Sequence, residues 1–122
     1  MKFLCAEDNE LNAEILEAIL EMYQASCPDG EKLVEAFETS AFGDYDAILM
    51  DVQMPNMNGL EATKRIRNGK NPLGRTIPII AMTANAFNSD VQECLDAGMD
   101  AHVSKPLDIG KIINSFKFIF KN

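Results

Sequence analysis

Ala47-Ile48-Leu49-Met50-Asp51, written AILMD, is the stretch that decides the fold. Four apolar residues in a row leave no polar face, so a strand formed here must be covered on both sides. Such strands belong to parallel sheets packed between helical layers. The run stops at a carboxylate, and the turn residues Pro55-Asn56-Met57-Asn58-Gly59 soon follow. Working outward, Pro78-Ile79-Ile80-Ala81-Met82 repeats the pattern. Lys2-Phe3-Leu4-Cys5-Ala6 is another apolar run, and Ala101–Ser104 is a brief one.

Between these runs the period becomes helical. Leu11, Ile15, Leu16, Ile19, Leu20 and Tyr23 recur on one face of a helix starting near Asn12, with Glu10, Glu14, Glu17 and Glu21 on the other. Gly30–Thr39 is expected to be helical with Leu33, Val34 and Phe37 inward. Gly59–Asn68 follows with Leu60, Ala62, Thr63 and Ile66 inward, then a loop over Asn71–Gly74. Asn88–Ala97 is a helix stopped by Gly98. Asp108 caps a last helix with Ile109, Ile112, Ile113 and Phe116 inward.

Strands alternating with helices imply right-handed βαβ units. The pattern therefore predicts an α/β fold, a five-stranded parallel sheet with helices on both faces. Two helices in succession near the start demand a fifth strand between them. Only Gln24–Cys27 is available for it, so this second strand is expected to be shortened.

The chain has 122 residues, 47% hydrophobic and 25% charged, which suits one domain over residues 1–122 with its own core. No apolar run approaches the roughly 20 residues that span a bilayer. The opening apolar run is too short for a secretory signal. Cys5, Cys27 and Cys94 form no CxxC pair, so buried thiols in a reducing, cytoplasmic setting are expected. His102 is the one histidine, which excludes a His/Cys zinc cluster. The net charge of −8 argues against direct nucleic-acid binding. That charge is uneven: residues 1–51 hold 13 acids and 2 bases, residues 52–122 hold 6 acids and 9 bases.

In an open parallel sheet, ligands bind beyond the carboxyl ends of the strands. The residues standing there are Glu7 and Asp8 after the first strand, Asp51 at the third, Thr83 at the fourth and Lys105 after the last. Three carboxylates brought together repel one another, and a hard divalent cation such as Mg²⁺ relieves the repulsion. A carboxylate can act as a nucleophile toward phosphorus. A transferring phosphoryl group needs cations and hydrogen-bond donors around it. Glu7, Asp8, Asp51, Thr83 and Lys105 supply that set.

Here the chain resembles the receiver domain of two-component response regulators. The resemblance spans essentially the whole chain. It rests on Ala6-Glu7-Asp8-Asn9, on Leu49 through Gly59, on Pro78 through Ala84, and on Ser104-Lys105-Pro106. The wording of the middle two motifs is most similar to receivers of hybrid sensor histidine kinases. The resemblance implies a flavodoxin-like (βα)5 fold in which Asp51 accepts a phosphoryl group from a phosphohistidine. Asp8 and Asp51 would hold Mg²⁺ directly, Glu7 mostly through water, and Gln53 through its carbonyl. Thr83 would donate to a phosphoryl oxygen, and Lys105 would pair with the phosphoryl group or with Asp51. Lys105–Pro106 would be a cis bond. The domain would catalyse its own phosphorylation and dephosphorylation and switch an interaction surface. Its partner would be a sensor histidine kinase or a histidine phosphotransfer domain, without direct nucleic-acid or membrane contact. The oligomeric state is not legible.

His102 stands where the family usually has a switch aromatic, and a packing role is expected for it. Gln53 and Asn85 occupy positions that tune phosphoryl lifetime, and as neutral amides they imply moderate autodephosphorylation. Met50, Met54, Met57, Met82 and Met99 are read as packing residues. Lys64, Arg65, Arg67, Lys70 and Arg75 are read as a solvated basic face, with a docking patch as the alternative. Two other functional readings stay open: a stand-alone response regulator, or an aspartate-nucleophile phosphohydrolase. The second lacks the DxD motif after its first strand, where Glu7-Asp8-Asn9 stands instead.

Overall fold

The computed structural model describes residues 3–6, 23–27, 30–40, 45–52, 57–83, 88–104 and 114. Five strands form one sheet: β1 (Phe3–Ala6), β2 (Tyr23–Cys27), β3 (Ala47–Asp51), β4 (Ile79–Thr83) and β5 (Ala101–Ser104). Their order is β2-β1-β3-β4-β5, and every pairing is parallel. The helices are α1 (Gly30–Glu38), α2 (Gly59–Asn68) and α3 (Asn88–Ala97). Of the helix expected from Asn12 only Tyr23 is described, and of the one expected from Asp108 only Asn114, which is helical; Glu7, Asp8, Gln53, Asn85 and the Lys105–Pro106 bond lie outside the described residues.

The apolar runs became central strands for the reason the sequence gives. β3 and β4 are buried at every position. Leu4, Ala6, Ile48, Met50, Ile79 and Ala81 pack with Leu33 and Phe37 of α1, Ala62 and Ile66 of α2, and Cys94 of α3. The alternate residues Cys5, Leu49, Ile80 and Met82 belong to the other face and are fully buried as well. Both faces of the sheet are therefore covered, as a parallel sheet requires. Val34 and Leu60, expected inward, are only half-buried and pack at the margin of the core. Cys94 and Met99 are buried packing residues, as expected.

α2 has a built beginning. Asn58 caps it, its side-chain oxygen accepting from the Glu61 N–H at 2.9 Å. Thr63 hides its hydroxyl by donating to the Gly59 carbonyl at 2.8 Å. α3 ends in a Schellman turn: Gly98 N–H donates to Leu95 O at 3.0 Å and Met99 N–H to Cys94 O at 3.0 Å. Gly98 takes φ of +109° there, a conformation that side-chain-bearing residues rarely adopt.

Four expectations need correction. The second strand is not short: it has five residues, as many as β3 and β4. Its register against β1 steps from Phe3↔Tyr23 to Leu4↔Ala25, so the strand absorbs an extra residue. Tyr23 opens this strand instead of closing the preceding helix. The Asn71–Gly74 loop contains a 3-10 turn over Pro72–Arg75, started by Asn71, whose side chain accepts from Leu73 N–H at 3.1 Å. His102 is exposed rather than packed: β5 alternates, and its buried position is Val103.

The basic stretch also divides. Lys64, Arg65, Lys70 and Arg75 are exposed, and Arg65 pairs with Glu61 across one turn at 3.4 Å. Arg67 is different, with a side chain only 15% exposed. Its Nε and Nη2 both donate to Gly98 O, at 2.9 and 2.7 Å. Nη1 donates to Gly74 O at 2.9 Å and Ile77 O at 2.7 Å. Nη2 also reaches Asp100 Oδ2 at 2.9 Å. A second tie joins α1 to the segment after α2: Glu38 Oε2 accepts from the N–H groups of Lys70 and Asn71 at 3.1 Å each.

Candidate functional site

Because every strand is parallel, all five carboxyl ends lie along one edge. Asp51 is the last residue of β3 and Thr83 the last of β4. In register Asp51 stands beside Met82, so Thr83 is one step further out on the adjacent strand, roughly 5 Å away laterally. Ser104, the last residue of β5, stands beside Thr83. On the other side Ala6, the last residue of β1, stands beside Met50. The sequence continues from Ala6 into Glu7-Asp8 and from Ser104 into Lys105. Of the expected site residues, the structure thus places Asp51 and Thr83 on neighbouring strands at this edge. Glu7, Asp8, Gln53 and Lys105 lie outside the described residues.

Asp51 is 4% exposed and Thr83 6% exposed. Along with Thr63 they are the buried polar residues named for the described core, and Thr63 is accounted for by its own helix. Burying a carboxylate is expensive, so a fold that places one at a strand terminus must compensate it with hydrogen bonds or cations. Among the described residues no group of three His, Cys, Asp or Glu side chains is close enough to hold a metal ion. Asp51 supplies one carboxylate, a hard oxygen donor of the kind that suits a hard divalent cation.

The backbone around Asp51 is held from two sides. Val52 N–H donates to Met82 O at 3.1 Å, which carries the β3–β4 ladder one bond past the strand. Gly59 N–H donates back to Val52 O at 2.9 Å. Gly59 lies so close that a Cβ there would overlap the Asp51 carbonyl oxygen and crowd the Met50 side chain. Glycine at the first position of α2 lets the helix begin directly against the Asp51 peptide. Sequence reasoning placed Gly59 in a turn and at a helix start but missed this contact. The signal was available: a glycine at the first helical position, where it forfeits helix propensity, argues for close backbone approach.

A parallel α/β sheet with a buried carboxylate and a buried hydroxyl at its carboxyl edge defines the general class. The chain belongs to the response regulator receiver domain family, whose model matches residues 3–117. It is 39% identical over 118 residues to the osmosensing histidine protein kinase of Saccharomyces cerevisiae, covering 92% of this chain and 9% of that protein. It is 40% identical over 121 residues to hybrid signal transduction histidine kinase G of Dictyostelium discoideum, covering 95% of this chain and 4% of that one. The chain therefore spans a small fraction of the curated relatives it matches. Among solved structures it is similar to the receiver domain of a Pseudomonas aeruginosa sensor histidine kinase, described with a magnesium ion coordinated in its active-site cleft. That likeness has a TM-score of 0.84 and 36% identity, covering 99% of this chain and 98% of the other. Among the described residues no helix is long and apolar enough to cross a membrane.

Proposed function

We propose that residues 1–122 form one receiver domain that accepts a phosphoryl group on Asp51 in a two-component phosphorelay. The observation that carries this reading is the buried Asp51 carboxylate at the end of β3, with buried Thr83 on the adjacent strand. The donor is a phosphohistidine on a sensor histidine kinase or a histidine phosphotransfer domain, and the setting is cytoplasmic. Both relatives described above are histidine kinases far longer than this chain, which supports a hybrid sensor histidine kinase as the parent protein.

One Asp51 carboxylate oxygen attacks phosphorus. The P–N bond to the donor imidazole breaks, and its electron pair stays on that nitrogen. The Thr83 hydroxyl donates to a phosphoryl oxygen as charge develops on it. Lys105 supplies a positive charge at the same group. Glu7, Asp8, Asp51 and the Gln53 carbonyl would hold Mg²⁺, all being oxygen donors of the kind that ion favours. Mg²⁺ held there supplies neutralisation of phosphoryl and carboxylate charge. The burial of Asp51 and Thr83 lowers the local dielectric and makes each of these interactions stronger than in water.

The test is incubation of the protein with Mg²⁺ and acetyl phosphate, followed by intact mass measurement. A single acid-stable, base-labile phosphoryl adduct that is absent from Asp51→Asn is the expected result. An adduct that persists in that variant, or none in the unaltered chain, overturns the reading.

A further inference from the structure

We propose that Arg67, at the far end of the sheet from Asp51, is a positioning residue for Thr83, acting through the register of β5 on β4. This rests on the phosphoacceptor reading only in what the positioning serves. Its geometry stands independently.

Arg67 carries five N–H donors. All are used: one from Nε and one from Nη2 to Gly98 O, two from Nη1 to Gly74 O and Ile77 O, and one from Nη2 to Asp100 Oδ2. The acceptors belong to the end of α3, the 3-10 turn, the approach to β4 and the approach to β5. α3 has no basic residue in its last turn. Arg67, from the neighbouring helix, supplies the cation that a helix carboxyl end favours.

Asp100 turns this anchorage into register. Its Oδ2 accepts from Ile79 N–H at 2.8 Å while also holding Arg67. Its own N–H donates to Ile79 O at 2.8 Å. Asp100 thus grips both polar groups of the first residue of β4, one residue before β5 begins. The ladder then runs Ile80↔Ala101, Ala81↔His102, Met82↔Val103 and Thr83↔Ser104. The functional edge is the fourth rung from the grip. Among the described residues β5 pairs on one side only, with β4. In this four-residue strand Val103 is the one buried side chain that specifies register besides this grip, and a one-residue slip would move every side chain to the other face. Arg67 and Asp100 fix the first rung, and the last rung sets what stands beside Thr83. The Asp51 side of the site is built on β3 and β1; the anchorage reaches the start of β3 only through Ile48, which pairs with Ile79 and donates to Pro78 O at 2.9 Å, and β1 lies one strand further away.

That asymmetry gives the test. In Arg67→Lys the charge stays but the fork is lost. Phosphorylation of Asp51 by acetyl phosphate is expected to slow by about tenfold, inside the roughly 100-fold that misplacement of reacting groups can cost. Mg²⁺ affinity, measured calorimetrically, is expected to hold within about twofold, the scatter of independent sites. Amide NMR spectra should show Thr83 and Ser104 displaced while Leu4–Ala6, on the strand beyond β3, stay in place. If Arg67→Lys does not fold, Asp100→Asn, which keeps the shape but removes the charge, is expected to show the same split. A rate within twofold of the unaltered chain, Mg²⁺ affinity falling in step with the rate, or unmoved Thr83 and Ser104 amides each overturn the proposal. If the unaltered chain takes up no phosphoryl group, the functional reading fails. The amide spectra still decide the role of Arg67.

Discussion

The two ends of the sheet are built on opposite principles. At the amino end of β4 and β5, the side chains of Arg67 and Asp100 join pieces of backbone from separate segments. At the carboxyl end, β3 and β4 finish in Asp51 and Thr83, polar groups that the sheet buries. Glycine 59, with no side chain, fits against the Asp51 peptide. One end uses buried polarity to hold chain segments together. The other keeps it where chemistry is possible. The length of the strands separates the two, the β4–β5 ladder links them, and substitutions at the two ends should differ in which measurement they move most.

The largest expected effect is at the reactive end. Asp51→Asn should abolish the phosphoryl adduct completely, with folding stability equal to or above that of the unaltered chain, because a neutral amide costs less to bury than a carboxylate. Urea unfolding that shows a clear loss would mean that Asp51 also braces the fold, and the contrast between the ends would break. Next is Arg67→Ala, which leaves the carbonyls of Gly98, Gly74 and Ile77 and the Asp100 carboxylate without their shared donor. It should cost about 3 kcal/mol in the same assay, the lower part of the range for buried charged networks because solvent reaches Asp100. A loss under about 1 kcal/mol would reduce the anchorage to a surface ion pair.

Gly59→Ala sharpens the comparison, since it forces a methyl group against the Asp51 carbonyl. About 2 kcal/mol of destabilisation is expected from overpacking, together with slower phosphorylation. Wild-type rates would show that the Asp51 peptide tolerates displacement. The smallest effect is expected from Asn58→Ala, which removes the cap of α2 and should cost about 1 kcal/mol with the phosphorylation rate little changed. If that rate falls more than in Gly59→Ala, the capped turn and not the glycine contact positions Asp51.

Much of this architecture could be read before the structure was known. AILMD and PIIAM are legible because strands buried on both faces have no polar residues to obscure them. α2 begins at Gly59 and α3 stops before Gly98, as expected from the sequence. The placement of Asp51 and Thr83 at one edge was legible because parallel strands share their carboxyl ends by geometry. The amino end was not legible. In sequence Arg67 is one cation among five, and nothing local separates it from Arg65. Its role depends on acceptors up to 33 residues away, brought together only by the fold. A weak trace exists: α3 lacks a basic residue in its last turn, so a cation from elsewhere was wanted there. β2 was misjudged because chain length between helices says nothing about register, and an extra residue can be absorbed against β1. His102 was misjudged because alternation in a four-residue strand is too brief to show which face is covered.

The stretch that follows Asp51 is fastened at both of its ends. Val52 is bonded to Met82 and Gly59, and Met57 accepts from Gly30 N–H at 3.1 Å. In polymer terms, the entropy of bringing Val52 and Met57 to these partners is already spent by folding. A new charge appearing on Asp51 meets flanking residues, Val52 and Met57, that are already held. Phosphorylation of Asp51 therefore starts from a strand end whose neighbours Val52 and Gly59 are already bonded in place.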